Sequence, residues 1–94
     1  MIDRKAIQNS IEMIKNGQIP NYADEFLFSR PILQAVGDDR KGLEKLLREM
    51  SLDDLEHMSG FFDDFYAMWN DDRMFNFLNS LSQQLKDAGY SSAW

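Results

Sequence analysis

The longest amphipathic pattern in the chain lies between Ser51 and Asn70. On a helical wheel of about 100° per residue, its apolar side chains fall on one broad arc and its acidic side chains on the opposite arc. Ser51, with two aspartates close behind it, is a typical helix start. We therefore predict one central helix from Ser51 to Asn70. Its apolar arc holds Leu52, Leu55, Met58, Phe61, Phe62, Phe65, Tyr66, Met68 and Trp69, and its polar arc holds Asp53, Glu56, Gly60, Asp63, Asp64 and Ala67.

Helical spacing of apolar residues also marks the first third of the chain. Isoleucines at positions 7, 11 and 14 predict a helix over residues 3–16. A short helix is expected over 22–28, and Pro31 should forbid an unbroken helix through it because proline lacks an N–H and clashes with the preceding turn. A second short helix would then run from Pro31 to Val36. The run Phe26–Phe28 could instead form a buried strand.

Two further helices are predicted on either side of the central one. The first covers residues 38–50, and its Arg40 and Glu44 lie four residues apart on a face that reads as solvated. The second covers residues 71–88, and Gly89 should end it in a Schellman motif. Together these patterns predict an all-α fold, a compact bundle of four to five helices in a single domain over residues 1–94.

Composition supports the helical class and narrows the setting. The chain has no threonine and one valine, a poor supply of β-branched residues for a sheet. It has no cysteine, so disulfides and thiolate metal sites are excluded, as is usual in a reducing compartment. The first residues do not resemble a signal peptide, and no apolar run reaches the roughly 20 residues that span a bilayer. We therefore expect a cytoplasmic protein.

The net charge of −6 is concentrated in one region of the chain. Residues 1–50 hold eight acids and eight bases, residues 51–72 hold seven acids and no base, and residues 73–94 hold one acid and two bases. A concentrated negative field attracts basic surfaces and repels nucleic acid and anionic membranes. We expect a basic protein partner, and neither nucleic acid nor membrane.

Three features of the acidic region suggest a contact surface. Four Asp-Asp pairs occur in the chain, and Asp63-Asp64 alone falls inside a predicted helix, where capping does not explain it; the alternative is a solvated polar face. Gly60 inside a helix indicates close approach, either by a partner or by another segment of this chain. Phe75 lies on an uncharged face of the last helix, as an interface anchor would. The candidate partner-binding residues are Asp53, Glu56, Gly60, Asp63, Asp64, Asp71, Asp72 and Phe75.

Catalytic and cofactor motifs are missing from the sequence. It has no glycine-rich phosphate loop and no nucleophile elbow. His57 is the single histidine and is expected to be a surface or border residue, since zinc would need further nitrogen or sulfur ligands. We therefore expect neither an enzyme nor a metal or cofactor site. Trp94 could either plug the core or remain a free aromatic.

In size, acidity and helical character, with one strongly acidic helix, the chain resembles the small immunity proteins that bacteria make against their own nuclease toxins. The adjacent tyrosines of the colicin DNase immunity proteins are absent, so no binding residue is carried over. The resemblance implies that the protein neutralises a toxin by occluding its positively charged cleft. Two other interpretations remain open: an adaptor subunit or homodimer of a helical assembly, and a phage-type inhibitor that mimics DNA.

Overall fold

The structure, a computed structural model, describes residues 1–17, 26–92 and 94. All regular structure in this part of the chain is helical, so the predicted all-α class is confirmed. The predicted number of four to five helices is wrong, because the described residues already form six: α1 Arg4–Lys15, α2 Phe26–Val36, α3 Arg40–Glu49, α4 Leu52–Ser59, α5 Phe62–Trp69 and α6 Asp72–Asp87. The helices form two compact units, unit 1 (Met1–Glu49) and unit 2 (Met50–Trp94). The single domain expected over residues 1–94 stays a prediction.

The first helix of unit 1 begins and ends as its sequence predicts. The Asp3 carboxylate accepts the Ala6 N–H at 3.1 Å and caps α1. Gly17 follows the helix with a φ of 65°, a conformation that glycine adopts without steric cost. Ile7 and Ile11 are buried, which confirms the predicted apolar stripe.

The second helix continues through Pro31, so the predicted interruption there is wrong. A proline inside a helix costs about 3 kcal/mol. Ile32 and Val36, which follow it, are each 1% exposed, and burying such a side chain contributes about 1.5–3 kcal/mol. The packing of α2 against α1 and α3 therefore offsets the lost hydrogen bond. Residues 26–28 are helical, which rules out the strand, and the predicted start at Tyr22 lies outside the described residues.

Asp39 ties the start of the chain to the third helix. One of its carboxylate oxygens accepts the Gly42 N–H at 2.9 Å and caps α3. The other accepts the Ile2 N–H at 2.8 Å. These two backbone hydrogen bonds, that to Ile2 foremost, lower the pKa of Asp39 because they favour its charged form. The helix start predicted at this aspartate pair is confirmed.

The face of α3 that reads as solvated is covered at Glu44. Glu44 is 4% exposed, and its carboxylate lies 4.0 Å from the guanidinium of Arg40. The spacing of four residues predicts the pair correctly. It cannot predict burial, because burial depends on which other parts of the chain cover that side of the helix.

The predicted central helix is two helices, because the chain breaks at Gly60 and Phe61. Ser51 caps α4 as predicted, accepting the Asp54 N–H at 3.2 Å. Phe61 donates its N–H to the carbonyl of Met58 at 2.9 Å, a tighter turn than the α-helical one. Phe61 and Phe62 are 7% and 0% exposed, so both rings beside the break are buried.

The last helix, α6, agrees with its prediction at both ends. Asp71 caps it by accepting the Met74 N–H at 2.9 Å. At the other end the Tyr90 N–H donates to Leu85 at 2.8 Å and the Gly89 N–H to Lys86 at 3.1 Å, the two bonds of a Schellman motif. Its buried stripe packs against α4 and α5. Among the described helices, none combines the length and apolar character needed to cross a membrane.

Candidate protein-binding surface

Most of the acidic residues of unit 2 lie at the starts of its three helices. Asp53 and Asp54 lie in the first turn of α4, and Asp63 and Asp64 in the first turn of α5. Asp71 and Asp72 are the cap and the first residue of α6. The interpretation of Asp63-Asp64 as a mid-helix pair is therefore wrong. A carboxylate in a helix's first turn is stabilised by about 0.3–1 kcal/mol through the helix dipole, so folding alone accounts for these positions.

The two units still differ in their balance of acidic and basic residues. Residues 1–49 carry eight acids and eight bases, whereas residues 50–94 carry eight acids and two bases, Arg73 and Lys86. The net charge of −6 therefore belongs to unit 2. Two bases cannot neutralise eight carboxylates, so a negative field surrounds unit 2.

Trp94 and three other rings of unit 2, those of Phe62, Tyr66 and Phe75, form a connected cluster. Trp94 has its ring centroid 6.4 Å from that of Phe62, 5.8 Å from Tyr66 and 5.5 Å from Phe75. Tyr66 and Phe75 also contact each other, at 5.8 Å. Phe62 is fully buried, Tyr66 and Trp94 are half-buried, and Phe75 is 44% exposed. The cluster therefore runs from the core to the surface, and Trp94 packs on it, which answers the question that the sequence left open.

Ser91 and Trp94 are held by hydrogen bonds to α4, α5 and α6. The Trp94 indole N–H donates to Asp63 at 2.7 Å, and the Ser91 N–H donates to Glu56 at 2.9 Å. Lys86 donates to the Trp94 carbonyl at 2.7 Å. Glu56 and Asp63, both predicted to bind a partner, therefore already hold the end of the chain. A cation that approaches either carboxylate meets Trp94 or its segment as well.

The structure brings together some of the predicted partner-binding residues. Asp63 and Phe75 meet through Trp94, and Asp72 precedes Phe75 by three residues on α6, where such residues are neighbours. Tyr66 was missing from the prediction, although its position three residues after Asp63 offered a signal. The exposed members of the predicted set are Asp53, Gly60, Asp63, Asp71, Asp72 and Phe75, and the half-buried ones are Glu56 and Asp64.

Close packing by the described residues does not account for Gly60. A Cβ atom built on it would have one neighbour within 4 Å among the described residues, the His57 carbonyl at 3.7 Å, an ordinary contact. The described residues therefore give no support to the interpretation that another segment of the chain packs there. Contact with a partner at Gly60 stays a prediction.

Other parts of the described chain offer less chemistry. They contain no group of three or more His, Cys, Asp or Glu side chains that could hold a metal ion. Unit 1 has an open groove of about 400 Å³, lined by Met1, Asp3, Ala6, Pro31, Gln34 and Ala35. Its carboxylate, that of Asp3, already caps α1.

Comparison with protein-family models, with curated proteins and with solved structures gives no match for this chain. The charge and the aromatic surface of unit 2 are therefore the features that bear on function.

Proposed function

We propose that this protein binds and neutralises a basic protein partner, in the manner of an immunity protein that occludes the positively charged cleft of a bacterial nuclease toxin. The observation that carries this proposal is the concentration of the whole net charge, −6, in unit 2. The same unit presents a partly exposed aromatic cluster. Charge for fast capture and an aromatic anchor are the two features that tight interfaces combine.

The physical case for neutralisation lies in the chemistry of nucleic-acid clefts. Such clefts present lysine and arginine side chains that pair with phosphates. Carboxylates on a second protein can pair with the same side chains, and a focused field can raise the association rate by about 10- to 1000-fold. The carboxylates that we assign to this role are those of Asp53, Glu56, Asp63, Asp64, Asp71 and Asp72. The proposal is for a binding protein without catalytic function that works in the cytoplasm without metal or cofactor.

Affinity capture from a lysate of the source organism tests the proposal when it is combined with two charge variants. Asp64→Asn with Asp72→Asn removes two charges from unit 2, at positions that neither cap a helix nor hold Trp94. Glu12→Gln with Asp38→Asn removes two charges from unit 1. Both variants have the same net charge, so a difference between them reports where the partner binds.

We expect a basic protein to be retained at about 0.05 M salt and to be lost at about 0.5 M, where screening shortens to a few Å. The unit 2 variant should retain less of it than the unit 1 variant, and the purified partner should lose its nuclease activity when mixed with one equivalent of this protein. Equal retention by both variants, or a bound partner that stays fully active, would contradict the proposal.

A specific observation also favours self-association as a second candidate. Phe75 is 44% exposed on a stretch of α6 that has no charged residue between Arg73 and Lys86. An uncharged helix face with an exposed ring is suited to a homodimer or to an adaptor in a helical assembly. Sedimentation of the protein and of its Phe75→Ser variant tests this: a dimer that the substitution dissociates would support the second candidate.

A further inference from the structure

Each of two neighbouring rings in unit 2 has an exposed carboxylate one helical turn before it. Asp63 precedes Tyr66 by three residues in α5, and Asp72 precedes Phe75 by three residues in α6. Residues three apart are neighbours on a helix surface, and helical side chains lean towards the N-terminus. Trp94 contacts both rings and also donates its indole N–H to Asp63. The rings of Tyr66, Phe75 and Trp94, here named the ring surface, are therefore bordered by a carboxylate on each helix.

Aromatic rings bordered by carboxylates suit a guanidinium group better than an ammonium group. A guanidinium is planar and weakly hydrated, so it can lie flat on an aromatic face while its edge N–H groups bond to a carboxylate. An ammonium is compact and strongly hydrated, and it gains less from stacking. Of the border carboxylates, that of Asp63 is fixed by the Trp94 indole at 2.7 Å, which leaves it oriented beside the rings.

The charge of unit 2 decides between the occupants that the ring surface could have. A second copy would bring another unit of net charge −6 against the first, and like charges facing each other oppose association. A cationic side chain from a basic partner lowers that repulsion. Charge complementarity therefore favours a partner's arginine over a second copy of this chain.

We infer that the ring surface is an arginine receptor, on which a basic partner seats one arginine side chain between the carboxylates of Asp63 and Asp72. This inference rests on the proposed function, because it names the anchor within the same acidic surface. It assigns a role to Tyr66 and Trp94, which charge alone does not single out. It also gives the half-exposed ring of Phe75 a binding partner of defined chemistry.

Two peptides of equal charge, hexa-arginine and hexa-lysine, test the inference on the intact protein. Each is titrated into ¹⁵N-labelled protein at low salt, and binding is followed by the two indole N–H signals, those of Trp69 and Trp94. We expect hexa-arginine to bind about two- to fivefold more tightly than hexa-lysine, the ratio that a surface cation–π contact supplies. Its binding should shift the Trp94 indole signal.

A matched pair of variants locates the preference. Phe75→Leu keeps an apolar side chain and removes the aromatic face, so it should reduce the preference for arginine to less than about twofold. Met68→Leu changes another exposed apolar residue of unit 2, one with no part in the ring surface, and should preserve the preference.

Each other outcome would overturn the inference in a distinguishable way. Equal binding of both peptides, or a preference that survives Phe75→Leu, would reject the arginine receptor and leave the proposed function standing. Binding of neither peptide would reject both. A dimeric mass that Phe75→Leu reduces would assign the ring surface to self-association.

Discussion

The two units of this protein use their acidic residues differently. In unit 1, Glu44 is buried beside Arg40, Glu49 pairs with Arg4 at 2.9 Å, and Asp39 accepts two backbone N–H groups. In unit 2 the same number of acids faces two bases, and many of the carboxylates lie at helix starts, on or near the surface. The two units have the same number of acids, so the number alone does not show what these residues do; the contacts of each carboxylate show it. These three acids of unit 1 stabilise its fold through pairs and hydrogen bonds, whereas the acids of unit 2 outnumber its bases, and we propose that this excess binds a basic partner.

The largest effect should come from the buried acid of unit 1. Glu44→Ala leaves the guanidinium of Arg40, whose side chain is 19% exposed, without this carboxylate, and we expect unfolding to become easier by about 2–4 kcal/mol. Urea denaturation measures the loss. The control is Glu49→Ala, whose carboxylate pairs at the surface and should matter far less. Equal losses of unfolding free energy in the two variants would show that burial does not determine how much these acids stabilise the fold.

Two Gly→Ala substitutions should change the free energy of unfolding in opposite directions. A Cβ on Gly42 would overlap the Asp39 carboxylate and lie 2.8 Å from Cγ2 of Ile2, so Gly42→Ala should cost about 1–3 kcal/mol. Gly60 has open space and a φ of −64°, so Gly60→Ala should stabilise by up to about 1 kcal/mol. Thermal unfolding of both variants measures the two changes in stability. A stabilising Gly42→Ala would contradict the close packing around Asp39.

The aromatic cluster should stabilise unit 2 through its rings more than through its hydrogen bond. Trp94→Ala removes contacts to Phe62, Tyr66 and Phe75, and because Trp94 is half-buried we expect a loss of about 1–2 kcal/mol. Trp94→Phe keeps a ring and loses the N–H that bonds to Asp63. Denaturation of both variants should show that phenylalanine recovers at least half of the loss. If both variants lost equally, the hydrogen bond would be the main support.

Acid should weaken unit 1 in a defined pH window. Hydrogen bonding from Ile2 and Gly42 lowers the pKa of Asp39, and hydrogen bonding from Arg4 lowers the pKa of Glu49. A group with a lowered folded pKa stabilises the fold above its ordinary value and loses that contribution as the pH falls through its folded value. The loss should therefore begin near 4.5 for Glu49 and near 3.8 for Asp39 and increase below.

The measurement for this pH dependence is the unfolding free energy between about pH 5 and pH 3. Asp39→Asn should show a shallower fall over that range than the original protein, because one of the linked groups is gone. Both groups are accessible to solvent, so we expect this to be the smallest of the stability effects. An unchanged slope of unfolding free energy against pH would show that Asp39 does not contribute to the acid sensitivity.

Local chemistry explains which parts of the fold could be predicted from sequence. The caps at Asp3, Ser51 and Asp71 and the Schellman motif at Gly89 depend on a few adjacent residues, and the structure confirms each of them. The continuous helix through Pro31 could not be predicted, because it depends on packing against two other helices. The break after Gly60 was missed for a similar reason, since the wheel assumes a helix that continues.

The candidate site also has features that the sequence predicts and features that it does not. The acidic character of unit 2 and the exposure of Phe75 follow from composition and periodicity. The meeting of Tyr66, Phe75 and Trp94 joins residues 9 to 28 positions apart, a distance over which spacing rules carry no information. The same is true of the bond between Asp63 and Trp94. Asp63-Asp64 was interpreted as an anomaly because the helix start at residue 62 was not recognised.

If the acidic residues of unit 2 form the binding surface, cations bind to unit 2 and not to unit 1. Titrating hexa-lysine into ¹⁵N-labelled protein, and following every backbone amide, tests it without a known partner and without any contribution from arginine stacking. We predict that the amides that shift lie in unit 2, around residues 53–56, 63–66 and 71–75, and that the shifts vanish at about 0.5 M salt. Shifts of equal size in both units, or confined to unit 1, would show that the acidic residues of unit 2 are not the cation-binding surface.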